Sequence, residues 1–501
     1  MGFIQKDALR TMVINFLGLF LGYLNKGVLF VLILNTEKIG LMNLMVSMGL
    51  LFGQLSNLGA INAISRFLPF FKEDKSQTQS FLILNLFFVF IGVGVFSLLV
   101  FILQTPISSF YSAKSALFID YYYWLIPIGI ANVLFSIFDS YLKAMYKNVL
   151  SVFLNEFLLR FLVTVSICLL AFDNINFNQF FIINCFIYFV PVIVLVIYLL
   201  KTKELKLHQK RLNISKKFKK IIVSYSLYSY TNTLGSMIVF ALDALMITYF
   251  LGLKATGIYT TVVYLTSALQ VPYKALIRIS SPLIPQFWKD KSMAKMEALY
   301  VKVSSISLII SLYLFMVVWC NIDDLFSFYK PEFLPGIWVF FFIMIGKMID
   351  MFFGLNGFIL LTSKKFKFDN LFTLILLLLV FSLNCWLIPI YGIIGAAIST
   401  SLAIVIYNLL RLAFVYFIYK IHPFEKDQFK IIFLFSLILS LFWLFPDLNI
   451  DRLIQIPLKV ISITVLFFGI IILLKWNIEL NKYIDNVYFK MFKKDLKLSN
   501  K

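Results

Sequence analysis

TMVINFLGLFLGYLNKGVLFVLIL, residues 11–34, is an apolar run interrupted by one cation, Lys26, and long enough to cross a bilayer core as a helix. A short basic start with Lys6 and Arg10 precedes it, as in a secretory leader. No small-residue cleavage site follows, however, and a second apolar run begins almost at once, so the segment reads as a retained first membrane helix. In hydrocarbon every backbone N–H and C=O must be satisfied inside the structure, which leaves helices or closed barrels. Runs of this length without two-residue alternation are helices.

Outward from this segment the pattern recurs. Further spans are expected at 41–64, 80–103, 117–142, 150–172 and 180–200, then, after a polar stretch, at 221–250, 256–282, 303–320, 333–361, 368–388, 393–419, 429–445 and 456–474. With 61% apolar residues, 14% charged residues and a mean hydropathy of +0.92, the bulk solvent of this chain is lipid. The expected fold is an all-α polytopic membrane protein of about fourteen transmembrane helices.

Charge sets the expected orientation. Residues 201–220 hold nine Lys and Arg, Lys364, Lys365 and Lys367 form a second group, and seven follow residue 474, whereas 172–179 hold none. Basic residues are retained on the cytoplasmic side, so this bias puts both termini in the cytoplasm, with an even number of crossings. The same segregation accounts for the net charge of +21 without nucleic acid, and suits contact with anionic membrane lipids. Cys168, Cys185, Cys320 and Cys385 stand singly in or beside apolar runs, and His208 and His422 sit in loops. No metal site, disulfide framework, cofactor motif or catalytic constellation is readable.

A weak repeat links the two halves at an offset of about 217 residues. Lys26 precedes Gly40 by the same interval that separates Asp243 from Gly257. The run Leu68-Pro69-Phe70-Phe71-Lys72 echoes Ile284-Pro285-Gln286-Phe287-Trp288-Lys289, and Leu142, Ala144 and Lys147 echo Leu360, Thr362 and Lys365. Six spans repeating as six gives two parallel bundles around a central cavity, 1–200 and 221–420. They are joined by a basic linker, 201–220, and followed by two extra helices in 421–475 and a basic tail, 476–501. A site between such repeats, opened alternately to each side, is a transporter architecture.

Ionisable residues inside spans cost about 2.5–3.5 kcal/mol each at a helix centre, so each demands a partner or a function. Glu156 and Arg160 are spaced to pair on one helix face, as are Lys347 and Asp350. Lys26 and Asp243 lack a local partner and occupy matched repeat positions. They could meet across the cavity as a lock, or Asp243 could take a coupling cation or proton. Lys274 and Arg278 share a face and repel, so an anion would satisfy them, or they snorkel to headgroups. Arg160 and Lys347 lie deepest; facing a cavity, they would make it suited to phosphate.

The stretch NCWLIPIYGIIGAAIST, 384–400, with Asn384, Leu387, Ile388, Pro389, Tyr391, Gly392, Ile393, Gly395, Ala396, Ala397, Ile398, Ser399 and Thr400, resembles the signature of polysaccharide flippases between their eleventh and twelfth helices. Gly40, Gly257, the helix ends at Leu142 and Leu360 and the basic central loop also resemble the Wzx-type branch of the multidrug, oligosaccharidyl-lipid and polysaccharide exporter superfamily. The resemblance implies a flippase of the bacterial inner membrane that moves a polyprenyl-pyrophosphate-linked oligosaccharide to the outer leaflet, for lipopolysaccharide O-antigen or a similar surface polymer. It would work by alternating access, driven by a proton or sodium gradient and in possible contact with glycan-assembly proteins. It also implies a cationic lumen, which Lys26, Arg160, Lys347, Arg278 and Lys274 would serve here, with Asp243, Asp350 and Glu156 in coupling or gating.

Two other classes fit the outline less well. A multidrug or cation antiporter would carry a more acidic or neutral cavity. A membrane-embedded glycan polymerase or ligase would present a large outward loop with catalytic groups, whereas the longest outward loop, 104–116, holds one basic residue and no acid.

Overall fold

The computed structural model describes residues 2–112, 114–205, 215–444, 451–477, 481 and 485, all helical or connecting. His208, the middle of the basic linker and most of the basic tail lie outside the described residues. Among the described residues ten helices are long and apolar enough to cross a membrane, or eleven with the bent α7 counted. By packing the chain divides into two compact units, Met1–Thr261 and Val262–Lys501.

In Met1–Thr261 the first helix, α1 (Gly2–Tyr23), runs through a π turn, Leu24–Leu29, into Phe30–Ile33. α2 (Thr36–Ser56) starts where Asn35 accepts a hydrogen bond from the Lys38 N–H at 2.8 Å. α3 (Lys75–Ile102) starts on Asp74, which accepts from Ser76 N–H at 2.8 Å. These side chains satisfy orphan N–H groups that would otherwise face the interface unpaired. α4 (Leu125–Ala144), α5 (Val149–Ala171) and α6 (Phe177–Lys201) follow. A second π turn, Phe153–Leu158, lies within α5, and α6 opens on a capping box between Asn176 and Gln179.

The core of this unit packs Ile64, Leu68, Phe81, Leu82, Ile137, Leu142, Leu195 and Leu199 from α3, α4, α6 and the short helix Ala60–Phe67. On the opposite face of α3, Phe87, Phe90, Leu98 and Ile102 are exposed. Such a stripe is untenable in water and is the face offered to lipid. α7 (Lys216–Leu251) lays one side on the short helix. Phe218 and Tyr225 pack edge-on against Phe67, and the Arg66 guanidinium stands 4.1 Å over the Tyr225 ring. α7 therefore goes with Met1–Thr261, although by internal similarity it opens the second repeat.

α8 (Leu253–Ala268) carries the unit boundary. The span expected over 256–282 is interrupted, because α8 stops at Ala268 and α9 (Val271–Ser280) begins anew with Pro272 in its first turn. Pro272 has no N–H to offer the carbonyl four residues back, and its ring disfavours a continuous ladder there.

In Val262–Lys501, α10 (Met293–Trp319) is followed by α11 (Gly336–Phe353), α12 (Leu355–Thr362) and α13 (Lys367–Tyr419). The spans expected at 368–388 and 393–419 are the two arms of α13, which folds back at Gly392, φ 62° and ψ −139°. That backbone region is open essentially to glycine alone. Antiparallel arms follow from their contacts: Phe368 lies 4.7 Å from Phe414, and Leu387 O meets Gly395. α14 (Lys426–Leu444) and α15 (Arg452–Leu473) dock on α10 through Ile431, Leu434, Ile438, Ile463 and Phe467 against Leu308, Leu312 and Met316.

Just after α6, buried Glu204 anchors the start of the linker. Tyr141 Oη donates to its Oε2 at 2.7 Å, Lys147 Nζ lies 3.0 Å from its Oε1, and Lys75 Nζ lies at 4.0 Å. Burial raises the carboxyl's pKa, but the Tyr141 hydrogen bond and the two ammonium groups outweigh it and hold the group below the usual glutamate range. The Glu204→Gln variant is expected to be less stable at pH 7 by about 1–2 kcal/mol. A depressed folded-state pKa contributes only above the unfolded value, so the gap should close as pH falls from about 4.3 downward. Thermal melts in detergent across pH 3.5–7.5 test this; a gap independent of pH would exclude the ionised anchor. In the same assay Gly392→Ala should cost about 1–3 kcal/mol, the price of forcing a Cβ into this backbone region.

Candidate functional site

Two polar clusters interrupt the apolar spans, one in each unit. In Met1–Thr261 Gly2–Tyr23 packs on the π turn of α5, and the π turn of α1 packs on the turns of α5 that follow it. A π turn inserts one extra residue into the helical ladder and frees backbone groups, which is why it recurs at functional sites. Here Asn25, from the π turn of α1, donates to the Arg160 carbonyl at 2.8 Å and accepts from Thr164 Oγ1 at 2.8 Å. The Glu156–Arg160 pair expected from spacing is formed at 2.6 Å, with both side chains partly exposed, and Asn155 also donates to Glu156 at 3.0 Å.

Lys26 and Asp243 converge on consecutive residues of α8. Lys26 Nζ donates to Asn43 Oδ1 at 3.0 Å, and Asn43 Nδ2 donates to Thr260 Oγ1 at 2.9 Å. Buried Asp243 accepts from Tyr259 Oη at 2.6 Å. Asn43 and Thr260 are 217 residues apart, the offset of the sequence repeat. At the same crossing a Cβ on Gly40 would strike the Leu253 carbonyl and reach within 3.0 Å of Gly257 N. A Cβ on Gly257 would strike the Thr36 carbonyl and reach within 3.0 Å of Gly40 N. The contact is reciprocal between matched positions, as at a two-fold axis. Glycine serves here by letting the backbones of α2 and α8 touch.

In Val262–Lys501, Lys347 of α11 reaches the broken end of α8, donating to Thr266 Oγ1 at 2.7 Å, Ser267 Oγ at 3.0 Å and the Val263 carbonyl at 3.4 Å. A cation at a helix C-terminus is favoured by the exposed carbonyls. Lys347 and Asp350, expected to be able to pair, form no ion pair in the structure; Asp350 instead accepts from Asn408 Nδ2 at 3.1 Å. The reason is geometric: α8 and the second arm of α13 offer each side chain a partner off its own helix. Lys274 and Arg278 are exposed on α9.

Sequence reading passed over Arg411 and Asp369. They form a buried ion pair across the arms of α13, with the Arg411 guanidinium also 4.0 Å over the Tyr407 ring. Both stand 21 residues from position 390, since 390 − 369 = 21 and 411 − 390 = 21. Treating the Pro389–Gly392 turn as a hairpin centre would therefore have matched them. Arg411 is compensated by its carboxylate. Lys347 instead meets the oxygens of Thr266, Ser267 and Val263, Asp350 accepts from an amide, and Asp243 accepts from a phenol.

Comparison with known proteins agrees with this architecture. No curated protein sequence matches the chain. Among solved structures it is similar to the lipid II flippase MurJ in an inward closed conformation, with TM-score 0.69 and 16% identity over 93% of this chain and 98% of that one. It is similar also to an inward-facing multidrug resistance MATE family transporter of the MOP superfamily, with TM-score 0.59 and 14% identity over 82% and 98% of the two chains. A MOP superfamily transporter from Pyrococcus furiosus gives TM-score 0.55 and 13% identity over 83% and 96%. The profile of the polysaccharide biosynthesis protein family matches residues 4–288, more than half of the sequence. The chain thus belongs to the polysaccharide biosynthesis protein family, multi-pass membrane proteins with the all-helical transporter fold of the MOP superfamily.

Proposed function

We propose that this protein is a Wzx-type flippase that carries a polyprenyl-pyrophosphate-linked oligosaccharide from the cytoplasmic to the outer leaflet of a bacterial inner membrane, by alternating access. The observation that carries the reading is Lys347, a cation within a membrane helix whose three hydrogen bonds all go to neutral oxygens and which forms no ion pair among the described residues. Its uncompensated charge is an expense inside a membrane that a transiting pyrophosphate would offset. Arg160 and Lys26 form a second cationic group, with Glu156 tempering Arg160. Membership of a polysaccharide biosynthesis family and likeness in fold to the lipid II flippase MurJ support a glycan on a lipid carrier as cargo. Both termini face the cytoplasm in this reading, and the repeats 1–200 and 221–420 move against each other around a central cavity.

Ion coupling is assigned to Asp243 and Asp350, buried or half-buried carboxylates inside spans that accept from Tyr259 Oη and Asn408 Nδ2. A proton or sodium ion bound there would cancel a charge that is costly in one state and solvated in the other.

Deleting the gene in the native host should make a lipid-linked oligosaccharide accumulate while its surface polymer disappears, as read by mass spectrometry of the lipid pool and a surface-glycan assay. An unchanged pool would turn attention to drug or cation export. Arg160→Ala and Lys347→Ala should each reduce surface glycan at least tenfold with membrane abundance unchanged, and full transport by both would remove the cationic path. Asp243→Asn and Asp350→Asn should abolish the dependence of flipping on the ion gradient in proteoliposomes; a dependence that survives in both would assign coupling elsewhere.

A further inference from the structure

At one end of Val262–Lys501, the last turn of α10, the short helix Ile322–Ser327, the first turn of α11 and the facing ends of α14 and α15 enclose a pocket of about 730 Å³. It shares no residue with the clusters described above. Three of the chain's seven tryptophans, Trp319, Trp338 and Trp443, line it, with Asp323, Asp324 and Lys459.

The indoles offer faces as well as bulk. Trp319 and Trp338 form a corner, with ring centroids 5.9 Å apart and planes at 58°, and Trp338 and Trp443 are 51% and 85% exposed. Tryptophans that merely mark a membrane interface are spread around a protein's girdle; these converge on one hollow. The charges beside them are nearly balanced. Asp324 is met by Lys459 at 3.1 Å and Arg452 at 4.0 Å, while Asp323 is exposed and has no hydrogen bond or ion pair among the described residues.

A free carboxylate, an ammonium group, indole N–H donors and the Ser440 hydroxyl, with little net field, suit a neutral polyol better than an ion. The flat faces suit a pyranose, whose C–H-bearing side packs on a π surface while its equatorial hydroxyls reach sideways for hydrogen bonds. The volume lies within the range of about 300–1,000 Å³ of small-molecule sites and exceeds the needs of a single sugar ring.

We propose that this pocket binds a short stretch of oligosaccharide, holding the glycan at the outer mouth after it has crossed. The inference rests on the flippase reading for its cargo and on the distribution of basic residues for its outward placement. α14 and α15 supply Trp443 and Lys459, so the two appended helices would have a role in glycan handling as well as in packing.

The test uses the full-length protein in phosphatidylcholine nanodiscs and, as probe, the oligosaccharide freed by mild acid from the native host's lipid-linked pool, read by intrinsic tryptophan fluorescence. A saturable change is expected in the wild type, weakened at least tenfold by Trp338→Ala and by Asp323→Asn, with circular dichroism confirming that both variants are folded. No saturable change in the wild type, or equal affinity in both variants, overturns the pocket. So does loss of the response when phosphatidylethanolamine replaces phosphatidylcholine, which would make the occupant a lipid headgroup. The flippase reading stands or falls separately, on accumulation of the lipid-linked pool after gene deletion.

Discussion

A charge or an open backbone group inside a bilayer has no water to turn to, and the arrangement of this protein follows from how each one is answered. Most of the backbone is answered by helices. Where the ladder is broken, at the π turn of α1 and between α8 and α9, polar side chains gather: Asn25 on the Arg160 carbonyl, Lys347 on the end of α8. Irregular backbone at membrane depth is tolerated only where protein or a cavity surrounds it. The places where the helices fail are therefore the places to look for cargo and ions.

The ionisable groups fall into two kinds by their partners. Arg411 with Asp369, and Arg160 with Glu156, are cations answered by carboxylates, and such pairs add specificity of packing more than stability. Lys347 is answered by neutral oxygens only, and Asp350 by an amide. Charges of the second sort keep most of their field, which makes Lys347 a better candidate for an anionic headgroup than Arg411, although both are cations within spans.

Much of this was legible in the sequence. The spans follow from apolar length, the Glu156–Arg160 pair from spacing, and the 217-residue offset found in a few letters reappears as contacts between Asn43 and Thr260 and between Gly40 and Gly257. The π turns were not legible, because one extra residue in a helical ladder leaves no compositional trace; it shows only once Asn25 is seen bonding a neighbouring helix. The break after Ala268 was readable from Pro272, yet a continuous apolar run hid it. Lys347 and Asp350 show the limit of spacing arguments: proximity on one helix permits a pair, but partners on other helices decide whether it forms.

The crossing of α2 and α8 differs in kind from the contact that holds α14 and α15 on α10. The latter interlocks Ile, Leu and Phe side chains over several turns, and parting it would expose each of them at about 1.5–3 kcal/mol in water, or leave voids in lipid. The former is backbone against backbone, with two glycines and one Asn–Thr hydrogen bond at its centre. At the two glycines its separation parts backbone from backbone, and water could take over the Asn43–Thr260 hydrogen bond at a net cost of about 1 kcal/mol. The flippase proposed above needs seams that close tightly and open cheaply beside others that never open. A contact between repeat-related glycines meets the first need, and an interlocked aliphatic core meets the second. The charge best placed to sense the opening is Lys26, which donates to Asn43, the side chain that bridges the seam to Thr260. Any force that draws Lys26 toward an anion acts directly on the bridge that closes the crossing.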